Sequence, residues 1–169
     1  MTQTTSPDVA LAQFVEAYKR EHATTAKVLR AFPAEKSELK PHDRSNSARQ
    51  LAWTFVVEER LMLDGSKGQL ALGGGFPKAP ESWDQILDMF DAQSKELVSA
   101  LESGQATNIG GTVGFFAGPG KMADYPTPDF LWFMLCDQIH HRGQLSVYLR
   151  MAGGKVPSIY GPSADEPWN

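Results

Sequence analysis

Cysteine is nearly absent from this chain. Cys136 stands alone, which excludes an internal disulfide and every multi-cysteine zinc module. One thiol also fits a reducing cytoplasm, the expected location. A surplus of positive charge is missing too: 16 Lys and Arg against 20 Asp and Glu leave a net charge of −4. Nucleic acid and anionic membranes call for a basic face, so neither is an expected partner. Long apolar runs are lacking. The longest, Phe130–Cys136, is far short of the ~20 residues that a membrane span needs. Met1–Pro7 has neither a basic region nor an apolar run and reads as no secretory signal. There is no internal repeat and no low-complexity tract. What is present is ordinary: 169 residues, 41% hydrophobic and 21% charged. That suits one globular domain over 1–169, with a core that needs no cross-links.

Hydrophobic spacing predicts four helices. Leu11, Phe14, Tyr18, Thr25, Leu29 and Phe32 recur at three, four and seven, which places a helix over 8–32 that Pro33 ends. Ser47 and Gln50 have capping-box spacing and open a second helix over 47–64, with Gly65 and Gly68 as its stop. Ser82 and Gln85 repeat that spacing and open a third over 82–103. Thr127, Pro128 and Asp129 read as N-cap, first-turn proline and first-turn acid of a fourth, which Gly153 and Gly154 close. Its first half is apolar on nearly all sides, so it is expected to be the most buried helix. The connection over 104–126 is rich in glycine and long, as a crossover or a functional loop would be. The fold class expected is all-α, a four-helix bundle with a long crossover between helices 3 and 4. Val113–Phe116 forms a short extended segment at most.

The main chemical signal is Asp137-Gln-Ile-His140-His141-Arg142-Gly143-Gln144. Asp137 and His141 are four apart and stack on one helix face. A carboxylate and an imidazole so placed can bind one divalent cation. They can equally satisfy each other as a buried pair, which is the commoner arrangement. His140 points about 100° away and faces a neighbouring helix or a dimer partner. Arg142 is an ion-pair partner for Glu58 or Glu59, a solvated end, or a clamp for a substrate anion. Gly143 costs roughly 1 kcal/mol in a helix relative to alanine, which suggests close approach of another element. Thr54 and Glu58 also lie four apart, on the second helix. Glu58 reads as a third ligand or a general base, or more plainly as an exposed or ion-paired glutamate beside Glu59 and Arg60. Cys136 reads as a buried, inert thiol, and His22 and His42 as isolated. Gly118–Met122 fails as a phosphate loop, because Met122 stands where Ser or Thr would hold magnesium.

The chain resembles the DinB/YfiT-like family of damage-inducible helical proteins. The resemblance is strongest over Asp137–Arg150, where His140-His-Arg-Gly-Gln-Leu145 is the specific string, and continues to Asp165. Ser47-Ala-Arg-Gln-Leu-Ala-Trp53 matches the second-helix pattern. The resemblance implies a divalent-metal site of three histidines, one from the second helix and two from an H-x-x-x-H on the fourth. His141 matches the last ligand. Asp137 stands in place of the first histidine of that pair, and Thr54 in place of the second-helix histidine. The metal ligands expected are therefore Asp137 and His141, and the metal zinc or nickel. Family activities imply a low-molecular-weight-thiol S-transferase or a hydrolase acting on a small molecule, with Arg142 or Tyr148 steering an anionic substrate. A homodimer is implied as well. The alternative is a metal-free ligand-binding or dimeric interaction module that has lost catalysis.

Overall fold

A computed structural model of the chain describes residues 7–168; the leader-free reading of Met1–Pro7 falls almost wholly outside them. Four helices carry most of the chain: α1 (Pro7–Ala31), α2 (Ala48–Ser66), α3 (Trp83–Glu102) and α4 (Thr127–Met151). A 3-10 turn, Ala34–Lys36, follows α1. The connection before α4 is not structureless. It contains an antiparallel hairpin, β1 (Thr112–Gly118) and β2 (Lys121–Pro126), in register from Thr112 opposite Pro126 to Phe116 opposite Met122. The all-α expectation holds for the helices and fails here. Val113 and Phe115 alternate inward, but glycines interrupt β1 and β2 carries no strand pattern. Cross-strand pairing and the packing of Val113 and Phe115 on the core, rather than strand preference, make the hairpin.

The helix ends follow local chemistry with two differences. At α2 the capping box forms: Gln50 N–H donates to Ser47 Oγ (3.3 Å) and Ser47 N–H to Gln50 Oε1 (2.9 Å). At α3 the serine half forms, Gln85 N–H donating to Ser82 Oγ. Thr127 is not an N-cap but the first residue of α4. Its N–H donates to Gly111 O (3.0 Å) and its hydroxyl accepts from Asn108 Nδ2 (3.1 Å), so the base of the hairpin consumes its capping groups. Gly65 does not stop α2 either. It lies inside the last turn, where a methyl group would sit 2.9 Å from Phe130 Cε1; Gly68, at φ +69°, makes the turn out.

α1 packs on α3 and α4, and α2 packs on α3 and α4. The core is split in two. One cluster gathers Tyr18, Met62, Leu97, Phe130 and Met134, the other Leu29, Phe55, Trp83, Phe90 and Leu145. Along every helix the buried residues between the clusters are polar. Thr25, Glu58, Glu59, Ser94, Gln138 and Arg142 are all buried there. A polar layer thus crosses the middle of the apolar core, and buried polar groups persist only where partners or ligands satisfy them. The first half of α4 is less buried than its composition suggests: Trp132 and Phe133 are more than 40% exposed, resting on Phe14 and Tyr125 respectively. No helix among the described residues is long and apolar enough to cross a membrane.

Candidate metal centre

Packing of α2 on α4 brings Glu58 to the face that carries Asp137 and His141. One ligand atom from each of the three lies within 4.8 Å of the others. His141 Nδ1 is 3.0 Å from Glu58 Oε1, and His141 Nε2 is 4.0 Å from Asp137 Oδ1. The second distance is too long for a hydrogen bond, so Asp137 and His141 do not satisfy each other. The first approach lacks hydrogen-bond alignment. His141 Nδ1 and Glu58 Oε2 are buried with no hydrogen-bond partner among the described residues. Phe55 holds the imidazole edge-on, with ring centres 6.3 Å apart.

Electrostatics follow from this burial. The Glu58 carboxyl is pushed up to about 7, chiefly because burial penalises its charge; His141 opposes that rise and Asp137 adds to it. His141 is raised by the facing Glu58 carboxylate, against the effect of its own burial. The cluster therefore retains protons that a bound cation would replace. Two carboxylates and one imidazole, with unsatisfied atoms turned to a common space, fit a divalent cation.

A cavity of about 290 Å³ opens over the cluster. Its wall is aromatic, with Trp53, Phe76, Phe115, Phe116 and Phe133. Phe76 belongs to the connection between α2 and α3. Trp53 Nε1 donates to Pro77 O (2.7 Å), and Arg49 Nη1 donates to Ala79 O and Pro80 O, so α2 holds that connection across its own face. Thr54 lines the same cavity one turn before Glu58, but its hydroxyl donates to Gln50 O (3.2 Å) on its own helix.

Other expected participants lie elsewhere. Arg142 pairs with neither Glu58 nor Glu59. It is 1% exposed and spends its donors on Glu21 Oε2 (2.7 Å), Glu21 O, Thr25 Oγ1 and the Tyr160 hydroxyl. Tyr148 donates to Asn46 O (3.1 Å). Neither lines the cavity, so neither steers a substrate there. His140 is exposed beside Gln144 (2.8 Å). Gly143 has no neighbour within 4 Å of the place its side chain would occupy, so no element of the described chain explains it. Cys136 is exposed, not buried, because it sits on the outer face of α4. His22 is not isolated: it lies 3.0 Å from Glu59 and stacks on Phe90 at 4.2 Å. The Tyr18 hydroxyl donates to Glu59 (2.6 Å). Burial pushes the Glu59 carboxyl up to about 7 as well, with His22 opposing. Glu58 is the member that sequence reasoning ranked too low. Its signal was the spacing from Thr54, which puts it one turn along the same face.

Four helices, the last two joined through a two-stranded hairpin, with Glu58, Asp137 and His141 gathered between α2 and α4, define a class of mostly helical proteins. The chain belongs to the DinB family, whose model matches residues 1–168. It is 26% identical over 157 residues to the Bacillus subtilis (strain 168) protein named "Uncharacterized protein YrdA", covering 92% of this chain and 91% of that one. Among solved structures it resembles a DinB-like protein from Bacillus cereus ATCC 10987, with a TM-score of 0.72 and 26% identity, over 87% of this chain and 95% of that one. The DinB-like protein YjoA from Bacillus subtilis shares the fold, with a TM-score of 0.66 and 17% identity over 86% and 96% of the two chains.

Proposed function

We propose that the protein is a metal-dependent enzyme of the DinB family in which Glu58, Asp137 and His141 hold one divalent cation. The reading rests on one observation: three donor atoms share a site within 4.8 Å, where Glu58 Oε2 and His141 Nδ1 are buried with no hydrogen-bond partner among the described residues, although the imidazole and the Glu58 carboxylate lie 3.0 Å apart. The cation would supply Lewis acidity, lowering the pKa of a coordinated water or thiol. The protein's own residues do the rest. The aromatic wall excludes water and orients an apolar substrate. Asp137, the most open of the three, faces the entrance and leaves room for a substrate atom. The reaction class suggested by the family resemblance is thiol S-transfer or hydrolysis. Two carboxylates make a harder donor set than three histidines, which moves the preferred metal from nickel toward zinc or manganese.

Metal titration by calorimetry after chelation tests this. One ion per chain is expected, with His141→Ala weakening it by at least about tenfold and Thr54→His, which adds an imidazole beside the cluster, strengthening it. Absence of saturable binding by zinc and manganese would refute the reading. Thr54 favours a second one, a metal-free binding module, because a neutral hydroxyl stands where an imidazole is expected and is a poor ligand for zinc or nickel. That reading expects no metal uptake and an undiminished ligand affinity in His141→Ala.

A further inference from the structure

A second cavity, of about 420 Å³, adjoins the one over Glu58, Asp137 and His141. Trp53, Val57, Leu61 and Phe76 line both, so the two spaces share a wall built from α2 and the connection that follows it. The remaining walls of the second cavity are apolar along Val56, Leu70 and Met89 and polar at Arg60, Asp64 and Gln93. Arg60 and Asp64 neutralise each other at 2.9 Å, so this polar edge does not demand a charged ligand. Gln93 is different: its Oε1 is buried and has no hydrogen-bond partner among the described residues. A buried acceptor left unpaired is costly until a donor reaches it. An apolar space with one such acceptor has the anatomy of a small-molecule site.

We infer that the two cavities are compartments of one site for an elongated molecule. Its reactive group lies at Glu58, Asp137 and His141. Its apolar body passes the wall of Val57, Leu61 and Phe76. Its far end is a neutral hydrogen-bond donor, an amide or a hydroxyl, that pairs with the Gln93 amide once its buried Oε1 turns into the cavity it lines. The assignment of the reactive end rests on the proposed metal reading; the second compartment rests on Gln93 and its own walls.

The test has two arms. In the first, metal-free protein is titrated with the fluorescent probe anilinonaphthalene sulfonate. One saturable site is expected, and Ala71→Trp should weaken it by at least about tenfold, because the indole fills the second cavity with apolar bulk. Ala71 lines that cavity and not the first. Octanamide should displace the probe better than methyl hexyl ketone by about tenfold, and Gln93→Leu should remove that preference. In the second arm, zinc-loaded protein is titrated with acetohydroxamate and octanohydroxamate. The longer acid should bind at least about tenfold tighter, and Ala71→Trp should erase the difference while leaving acetohydroxamate unaffected. Equal probe binding by wild type and Ala71→Trp, or equal binding of the two hydroxamates to zinc-loaded wild type, would overturn the inference. An Ala71-sensitive probe site in a protein that takes up no zinc would support the second compartment and refute the metal reading.

Discussion

Replacing Glu58 with glutamine probes the buried charge and the metal site in one variant. In the metal-free fold, burial lifts the Glu58 carboxyl from an ordinary 4.5 to about 7. A carboxyl that binds its proton more tightly when folded gives stability that is fully present below about 4.5. That stability is lost as the pH climbs toward 7, since the folded state binds more protons throughout that interval. At about 1.4 kcal/mol per pH unit, the loss is on the order of 3 kcal/mol. His141 adds to it in the same direction, because its raised pKa comes chiefly from Glu58. Glu59 follows its own parallel course, so the difference between wild type and variant isolates Glu58 and its partner. Urea unfolding in chelator from pH 5 to pH 8 measures this, provided the urea dependence stays constant. Wild type should lose stability across the range, Glu58→Gln should lose less, and above pH 7 the variant should be the more stable. Saturating zinc should then reverse the order. A ligand at a hundredfold excess over its dissociation constant adds about 2.7 kcal/mol, and the variant, lacking one anionic donor, should gain far less. Wild-type stability that stays level or rises from pH 5 to pH 7 in chelator would refute the burial argument. An equal zinc-induced gain in both proteins would refute the role of Glu58 as a ligand.

Two further predictions concern the scaffold. Arg142→Met should cost about 1–3 kcal/mol in urea unfolding, since it takes the charged donor from Glu21, which keeps only the Tyr160 hydroxyl, and from the buried Thr25 Oγ1; a cost near zero would mean that the ion pair contributes nothing. Gly65→Ala gains about 1 kcal/mol of helix propensity but drives a methyl group to 2.9 Å from the Phe130 ring, an overpacking that costs about 1–3 kcal/mol. The expected net result is a lower thermal midpoint, and an unchanged or higher one would show that Phe130 yields.

Local sequence carried a good deal of this protein. Ser47 with Gln50 and Ser82 with Gln85 marked where α2 and α3 begin, and Pro33, Gly68 and Gly153 marked where α1, α2 and α4 end, because caps and breakers act within one turn of the chain. The apolar periodicity of α1 marked its inward face for the same reason. Asp137 and His141 could be paired from spacing alone, since a helix places residues four apart together whatever surrounds it. The string around His140 and His141 placed the chain beside its family.

What the tertiary structure decided lies between elements. Glu58 joins the cluster only because α2 packs against α4, and nothing along α2 itself separates it from Glu59, which turns instead to Tyr18 and His22. The hairpin arises from pairing between two strands of which one has no pattern of its own. Arg142 appeared available for substrate until the tail brought Tyr160 to it and α1 brought Glu21. Cys136 appeared buried within an apolar run, yet on its face of α4 it is exposed among the described residues. Sequence by itself determined the helices, the caps of α2 and α3 and the i, i+4 pair, because those depend on distances along the chain. The third donor, the aromatic cavity and the satisfied or orphaned state of each buried polar atom depend on distances across it. Only packing sets those.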